Sequence, residues 1–432
     1  MKKTLFFLLV TALITSCSTS PNRVIKYMTN DGCSISVNIN KFGDAKIVSH
    51  KYSEKEQCFL IKFNKDLKVI GNNAFYRCRS ITDFVIPPSV TNIGVGAFAQ
   101  CVNLYSIEIP ESVTTIGEKA FADCQSLSYI TLDKAYIGDN AFENCNAIES
   151  IEINCERFGN HFKRKPNLCS VTLGDNVRSI DDNAFYYCEN LTEIKIGNAV
   201  EYIGDEAFEF CKSLESINIP DNVTSIGNDA FSGCNSLKNV AIGNGVQTIK
   251  EGAFSYCRSL ERISIPDNVT TIEGRIFKEC TSLKNVTISN GVQAIEDDAF
   301  RSCKSLENIS IPDNVTSIGK FAFFYCTSLK NVTIGNGVQT IGYRAFEHCE
   351  SLESINIPDN VTNIDYSAFS YCTSLKNVTI GNGLQVIKSS VFSSCRSLEN
   401  VTIGKGVQTI DYNAFQFCES LKGINYYECN NN

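Results

Sequence analysis

Eleven cysteines stand 23 residues apart: Cys188, Cys211, Cys234, Cys257, Cys280, Cys303, Cys326, Cys349, Cys372, Cys395 and Cys418. The same apolar register recurs between them. In residues 211–231, CKSLESINIPDNVTSIGNDAF, apolar side chains fall at Leu214, Ile217, Ile219, Val223, Ile226, Ala230 and Phe231. A fixed period in the twenties is the signature of a solenoid, in which coil stacks on coil. A second period of 46 lies over the first. Pro-Asp-Asn-Val at 220–223, 266–269, 312–315 and 358–361 alternates with Gly-Asn-Gly-Val at 243–246 and 335–338, and Ser289-Asn290-Gly291-Val292 stands between them. Such identity points to duplication of a two-coil unit.

Each coil reads as a strand, a turn and a compact return. Leu214, Ile217 and Ile219 end in the period of two that a strand requires. Pro220-Asp221-Asn222, or Gly243-Asn244-Gly245, then supplies residues suited to a turn. Ile226-Gly227 leads into a predicted short helical turn over 228–234, with Ala230 and Phe231 facing inward. A coil cannot hold itself together. Its apolar side chains contribute about 1.5–3 kcal/mol each only when fully buried, against about 1–2 kcal/mol of backbone entropy for every residue ordered. Stacking supplies that burial.

The register resembles the leucine-rich repeat, L-x-x-L-x-L, and more closely its BspA-like subclass. The longer motif of that subclass stands here as Ile226-Gly227-Asn228-Asp229-Ala230-Phe231-Ser232-Gly233-Cys234-Asn235-Ser236-Leu237, and the match runs from about residue 55 to 428. The resemblance implies an α/β solenoid: a leucine-rich repeat horseshoe of about 16 coils of 23 residues, with one long parallel β-sheet on the concave side and short helical turns on the convex side. It also implies a cell-envelope recognition protein, adhesin-like, that binds host or neighbouring-cell proteins. Capture of a polysaccharide or peptide, and a structural spacer or scaffold in the envelope, are the alternatives.

Residues 1–16 read as a secretion signal, with Lys2 and Lys3 at its start and an apolar core over 5–14. That core is too short for a bilayer of roughly 30 Å. Leu13-Ile14-Thr15-Ser16-Cys17 resembles the lipobox of bacterial lipoproteins, which makes Cys17 the expected lipidated first residue. Its acyl chains would tether the chain to a bacterial membrane, the outer membrane by expectation. No acidic cluster follows Cys17, so the side of the membrane stays open.

Residues 17–54 lack the repeat and read as a linker and β-rich cap, with alternation at Ile35, Val37 and Ile39 and turns at Asn30-Asp31-Gly32 and near Phe42-Gly43-Asp44. The solenoid is placed at 55–432, with Cys58 in a leucine position. Coils over 125–187 are irregular: Cys124 and Cys145 are 21 residues apart, and Lys165 takes the place of the next cysteine. There Arg157, His161, Lys163, Arg164 and Lys165 gather on an otherwise acidic chain, as a docking spot for an anionic partner or the solvated edge of a decayed coil.

Charge and spacing exclude several functions. The formal net charge of −8 becomes about −10 when Lys2 and Lys3 leave with the signal, which disfavours nucleic acid. Stacked cysteines would point their Cβ atoms in parallel, a poor geometry for disulfides, so the ladder is expected to be buried thiols filling the core. Off the ladder, Cys33, Cys155, Cys169 and Cys429 could pair, Cys155 with Cys169 first among the choices. No C-x-x-C motif suggests zinc, and His50, His161 and His348 occupy unrelated contexts. Asp221, Asp267, Asp313 and Asp359 recur two coils apart, roughly 10 Å, too far to share a calcium ion. No cofactor, metal or catalytic residue is expected, because repetition spreads like groups along a face instead of converging unlike ones.

The expected binding surface is the outward side of the strands. One row holds Ser216, Asn239, Arg262, Asn285, Asn308, Asn331, Ser354, Asn377 and Asn400. The next holds Asn218, Ala241, Ser264, Thr287, Ser310, Thr333, Asn356, Thr379 and Thr402. Beside them Glu215, Lys238, Glu261, Lys284, Glu307, Lys330, Glu353, Lys376 and Glu399 alternate in sign, a pattern suited to holding neighbouring coils in register. A further row before the cysteines, Tyr187, Phe210, Tyr256, Tyr325, Tyr371 and Phe417, is expected to pack between turns, with an exposed protein-binding stripe as the alternative. A protein partner comes first among these expectations, a glycan second.

Overall fold

The computed structural model describes residues 20–426, so the signal segment, Cys17 and Cys429 lie outside the described residues. The chain is a β-solenoid of about 16 turns of about 23 residues. It divides into two compact units, Met1–Arg178 and Ser179–Asn432.

In the first unit the strands β1 (Val24–Thr29), β2 (Ile47–Ser53) and β3 (Cys58–Phe63) form an antiparallel group, with β1 beside β3 and β3 beside β2. The other edge of β1 pairs antiparallel with Ile81–Val85, which then begins parallel pairing with Ser106–Glu108. The segment around Cys58 thus matches the repeat in sequence but runs as a hairpin strand. Tyr27 locks this group: its ring stacks on Phe59 at 5.1 Å and faces Phe84 at 6.4 Å, and its hydroxyl lies 2.6 Å from His50 Nε2. The alternation at Ile35, Val37 and Ile39 forms no strand. Only Ile35 is buried, its N–H donating to the Tyr27 hydroxyl, while Ile39 is 66% exposed.

In the second unit each coil before the last described one contributes two strands. The longer ones pair in parallel and in register, Ser216 with Asn239, Asn308 with Asn331, Ser354 with Asn377 and Asn377 with Asn400. Hydrogen bonding groups them into blocks, beginning at Ser216–Ile219, Asn308–Ile311 and Ser354–Ile357. The shorter strands, such as Ser225–Ile226 and Thr248–Ile249, form a second parallel row from the Ile-Gly step of the motif. Gly227 closes that step because coils approach too closely for a side chain: a Cβ there would lie 2.5 Å from the Asp205 backbone nitrogen.

The return segment departs from the predicted helical turn. Residues 228–234 form consecutive turns, and no α-helix occurs among the described residues. Two residues per coil adopt left-handed backbone, one before the alanine and one before the cysteine, as with Asp229 at φ 49° and Gly233 at φ 70°. A left-handed residue every fourth position stops helical propagation. Freed from a helix, alternate N–H groups reach the next coil: Asp229 to Glu251 O, Phe231 to Ala253 O and Gly233 to Ser255 O, at 2.9, 2.8 and 2.9 Å. The turn side is therefore hydrogen-bonded between coils much as the strand side is.

Inside, the repeated phenylalanines form a ladder. Phe208, Phe231, Phe254, Phe277 and Phe300 are fully buried and stack at 5.2, 5.3, 6.1 and 5.3 Å. The widest spacing occurs where Ile276 replaces the usual alanine.

Candidate interaction surface

Period-two alternation places the Asn/Thr/Ser rows outward. Ser216, Asn218, Asn239, Arg262, Asn285, Thr287, Asn308, Asn331, Thr333, Asn356, Asn377 and Asn400 are exposed, and Thr379 and Thr402 are half-buried. Paired asparagines also bond along the row: Asn331 Nδ2 donates to Asn308 Oδ1 at 2.7 Å, and Asn400 Nδ2 donates to Asn377 Oδ1 at 2.9 Å. A carboxamide has two donors and one acceptor with two lone pairs, so such a bond fixes its plane and leaves polar valence toward solvent.

The charged column beside this strip pairs as its alternation implied. Lys238 approaches Glu215 at 3.8 Å, Lys284 approaches Glu261 at 3.5 Å and Lys330 approaches Glu307 at 4.0 Å. Each partner is about half exposed, so these pairs contribute little stability and act mainly on register. Asp221, Asp313 and Asp359 behave as turn residues: each accepts the N–H of an asparagine in the next coil, Asn244, Asn336 and Asn382, at 2.8, 2.7 and 2.8 Å.

The basic spot is smaller than the sequence suggests. Arg157, Lys163 and Arg164 are exposed, but Lys165 is only 4% exposed and its Nζ donates to the Phe142 carbonyl at 2.8 Å. Lys165 is thereby corrected from a surface charge to a core donor. His161 is partly buried, and burial lowers its pKa below 6.5, so it adds no charge at neutral pH.

The ladder cysteines are thiols outside any disulfide, and so are Cys155 and Cys169. The expected Cys155–Cys169 bridge is therefore corrected: Cys155 is buried at 2% exposure, whereas Cys169 is exposed and donates to Asn167 O. Ladder thiols do more than fill space. Cys234, Cys257 and Cys280 donate S–H to Phe208, Phe231 and Phe254 carbonyls of the preceding coil at 3.2, 3.2 and 3.1 Å.

The aromatic row is half exposed instead of packed between turns. Tyr187, Tyr256, Tyr325 and Tyr371 are each more than a third exposed, and Phe417 is 62% exposed. All have φ near +60°, which sets them at the outer rim of the turn. His348 belongs to the same row and was missed in the sequence because its register position, one before Cys349, outweighs its residue type. Its ring stacks between Tyr325 at 4.3 Å and Tyr371 at 4.7 Å. Among the described residues no group of three or more His, Cys, Asp or Glu side chains is arranged to hold a metal ion, and no helix is long and apolar enough to cross a membrane.

A stacked coil with a short parallel strand, an inward Leu/Ile/Phe/Cys core and an outward polar strip defines a leucine-rich repeat solenoid, a binding scaffold by construction. The chain belongs to the BspA-type leucine-rich repeat family: the BspA type leucine rich repeat region, a six-copy profile, matches residues 45–162, 156–284, 202–305 and 293–422. A leucine-rich repeat protein from Bacteroides ovatus is 26% identical with a TM-score of 0.62, and the alignment covers 89% of this chain and 99% of that one. One from Eubacterium ventriosum is 26% identical with a TM-score of 0.44, over 63% and 83% of the two chains. A leucine rich cell surface protein from Faecalibacterium prausnitzii is 24% identical with a TM-score of 0.38, over 92% and 96%. A comparison with curated proteins finds no match.

Proposed function

We propose that the chain is a lipid-anchored recognition protein of a bacterial envelope, adhesin-like, which binds a protein surface along its strand-face strip. The observation that carries this reading is the strip itself: exposed, in register over successive coils and rich in side chains with spare hydrogen-bonding capacity. Many weak polar contacts repeated at a fixed strand spacing suit an extended protein segment. No unlike catalytic groups converge on this face, which supports binding rather than turnover. Cys17, in its lipobox-like setting, would supply the anchor. The proposed outer-membrane location rests on the same segment, whereas display on the outer side rests on the adhesin-like reading and is what the first test addresses.

The test has two parts. Protease shaving of intact cells, with Cys17→Ala as the unanchored control, is expected to remove the solenoid from the cell surface; protection until the envelope is broken would sink the adhesin reading. Binding of cells to immobilised matrix proteins is then expected to fall at least roughly tenfold in an Asn331→Arg/Thr333→Arg variant. Adhesion that survives protease treatment of the target would favour a glycan ligand instead.

A further inference from the structure

The turn side carries a cleft that the strand face does not explain. Two of its rows lose their side chains at neighbouring positions: Gly233 stands where other coils have Phe210, Tyr256 or Tyr325, and Gly252 stands where others have Asp229 or Arg275. Both glycines are left-handed, at φ 70° and 67°. The third row is also small here, with Ser232 and Ser255 between Glu209 and Lys278. The result is a cleft of about 340 Å³, within the size range of small-ligand pockets.

Its lining is mixed in a specific way. Phe210 and Tyr256 bound it on the two sides of Gly233, and Phe210 leans toward that glycine, its Cδ1 2.6 Å from where a Cβ would stand. Over residues 325–371 the same row is filled: His348 occupies the middle place between Tyr325 and Tyr371 and stacks on both. At Gly233 the middle ring is missing. Ser232 and Ser255, 5% and 4% exposed, also line the cleft, and their hydroxyls lie 3.1 Å apart, with Ser255 Oγ 3.5 Å from Asp229 Oδ1. Glu209, Asp229, Arg275 and Lys278 line the same space, so it is bordered by two carboxyl groups and two cationic side chains. Glu251 holds the Arg275 Nε at 2.8 Å and so orients the guanidinium.

We infer that this cleft binds a single sugar residue, with one face of the ring against Phe210 and Tyr256 and its hydroxyls bonded to the carboxyl, hydroxyl and cationic groups around it. The chemistry selects this class. A flat apolar ring would cover these carboxyl, cationic and hydroxyl groups without using the hydrogen-bonding capacity they keep beyond their mutual bonds. A simple anion or cation would meet charges of both signs. A pyranose offers an apolar C–H face and hydroxyls that both donate and accept. Burial and the nearby Glu206 and Asp229 charges raise the Glu209 carboxyl to about 7, so near neutral pH it both donates to and accepts from a hydroxyl. The site is independent of the strand-face reading, since it uses other residues.

Saturation-transfer NMR of the full chain carrying Cys17→Ala, the unanchored form, with methyl glycosides of glucose, galactose, mannose, fucose and N-acetylglucosamine tests it. At least one glycoside is expected to receive saturation, with an affinity on the order of millimolar, as befits a single small ring. Gly233→Tyr restores the ring found at this position in other coils and is expected to weaken that binding at least roughly tenfold, while Tyr412→Ala, at a 99% exposed residue outside the cleft, leaves it unchanged. Tyr256→Ala, at a residue already 39% exposed, provides a second variant with the fold intact and is expected to weaken binding at least roughly fivefold. Absence of transfer to every glycoside, or unchanged transfer in a folded Gly233→Tyr or Tyr256→Ala protein, would overturn the assignment.

Discussion

The ladder thiols show how much one small residue contributes when it repeats. The Phe231 carbonyl accepts the Cys234 N–H within its own turn and the Cys257 S–H from the next coil, both at 3.2 Å. One carbonyl with two lone pairs is satisfied by two donors. Burial raises the Cys257 thiol well above its ordinary range, and the thiolate is the reactive species. Alkylation of the native chain followed by mass mapping is thus expected to modify Cys33 and Cys169, both exposed, while Cys257 and its fully buried equivalents react only after unfolding. Fast labelling of Cys257 in the native state would contradict this placement. Glu209 carries a pH signature. Its carboxyl is raised from 4.5 to about 7 by burial first and by Glu206 and Asp229 next, so the folded state holds a proton that the unfolded state releases. Stability is therefore lost as pH rises from 4.5 to 7 and is fully retained below 4.5. Urea unfolding of the native chain and Glu209→Gln across that range is expected to show a shallower loss in the variant, since Asp229 and Glu273 are raised in the same direction. Nothing in the sequence announces either effect, because Cys257 and Phe231 are 26 residues apart and meet only through stacking.

The return segment illustrates the same point for an element. Ala-Phe-x-x-Cys has the apolar spacing of a helical turn, yet two left-handed residues per coil turn it into a pair of tight turns whose N–H groups point to the next coil. The preference is collective: Tyr256, Glu279, Ser302, Tyr325 and His348 all adopt it at one register position despite unlike side chains. Coil-to-coil hydrogen bonds offset the cost of left-handed backbone, about 1–2 kcal/mol per residue. Lys165 shows what the register demands when cysteine is absent. Its Nζ performs the thiol's task, donating to the carbonyl of Phe142 from the preceding coil. Lys165→Met, which fills the space without a donor, is expected to cost about 1–3 kcal/mol in chemical denaturation, whereas Lys163→Met at an exposed position should be nearly neutral. Equal effects would mean that Lys165 acts only as a filler.

For the whole molecule, repetition makes stability additive over coils and their nearest-neighbour contacts. Excision of residues 258–303 removes two coils and joins Cys257 to Lys304 in register. The shortened chain is expected to remain folded, with an unchanged far-ultraviolet circular dichroism shape and a smaller denaturant slope, since less surface is exposed on unfolding. Excision of residues 258–269 breaks the period and is expected to unfold at least the adjoining coils; comparable stability of the two deletions would refute the nearest-neighbour picture. By itself the sequence determined the period, the two faces of each long strand, the buried Leu/Ile/Phe/Cys set and the outward Asn/Thr/Ser strip, because in a solenoid each residue's main neighbours lie one period away. Tertiary structure alone decided the left-handed turns, the thiol-to-carbonyl bonds, the burial of Lys165, the exposed aromatic rim and the cleft at Gly233. Those features depend on the directions of N–H groups and on the space left between side chains of adjacent coils, and no spacing along a single chain encodes them.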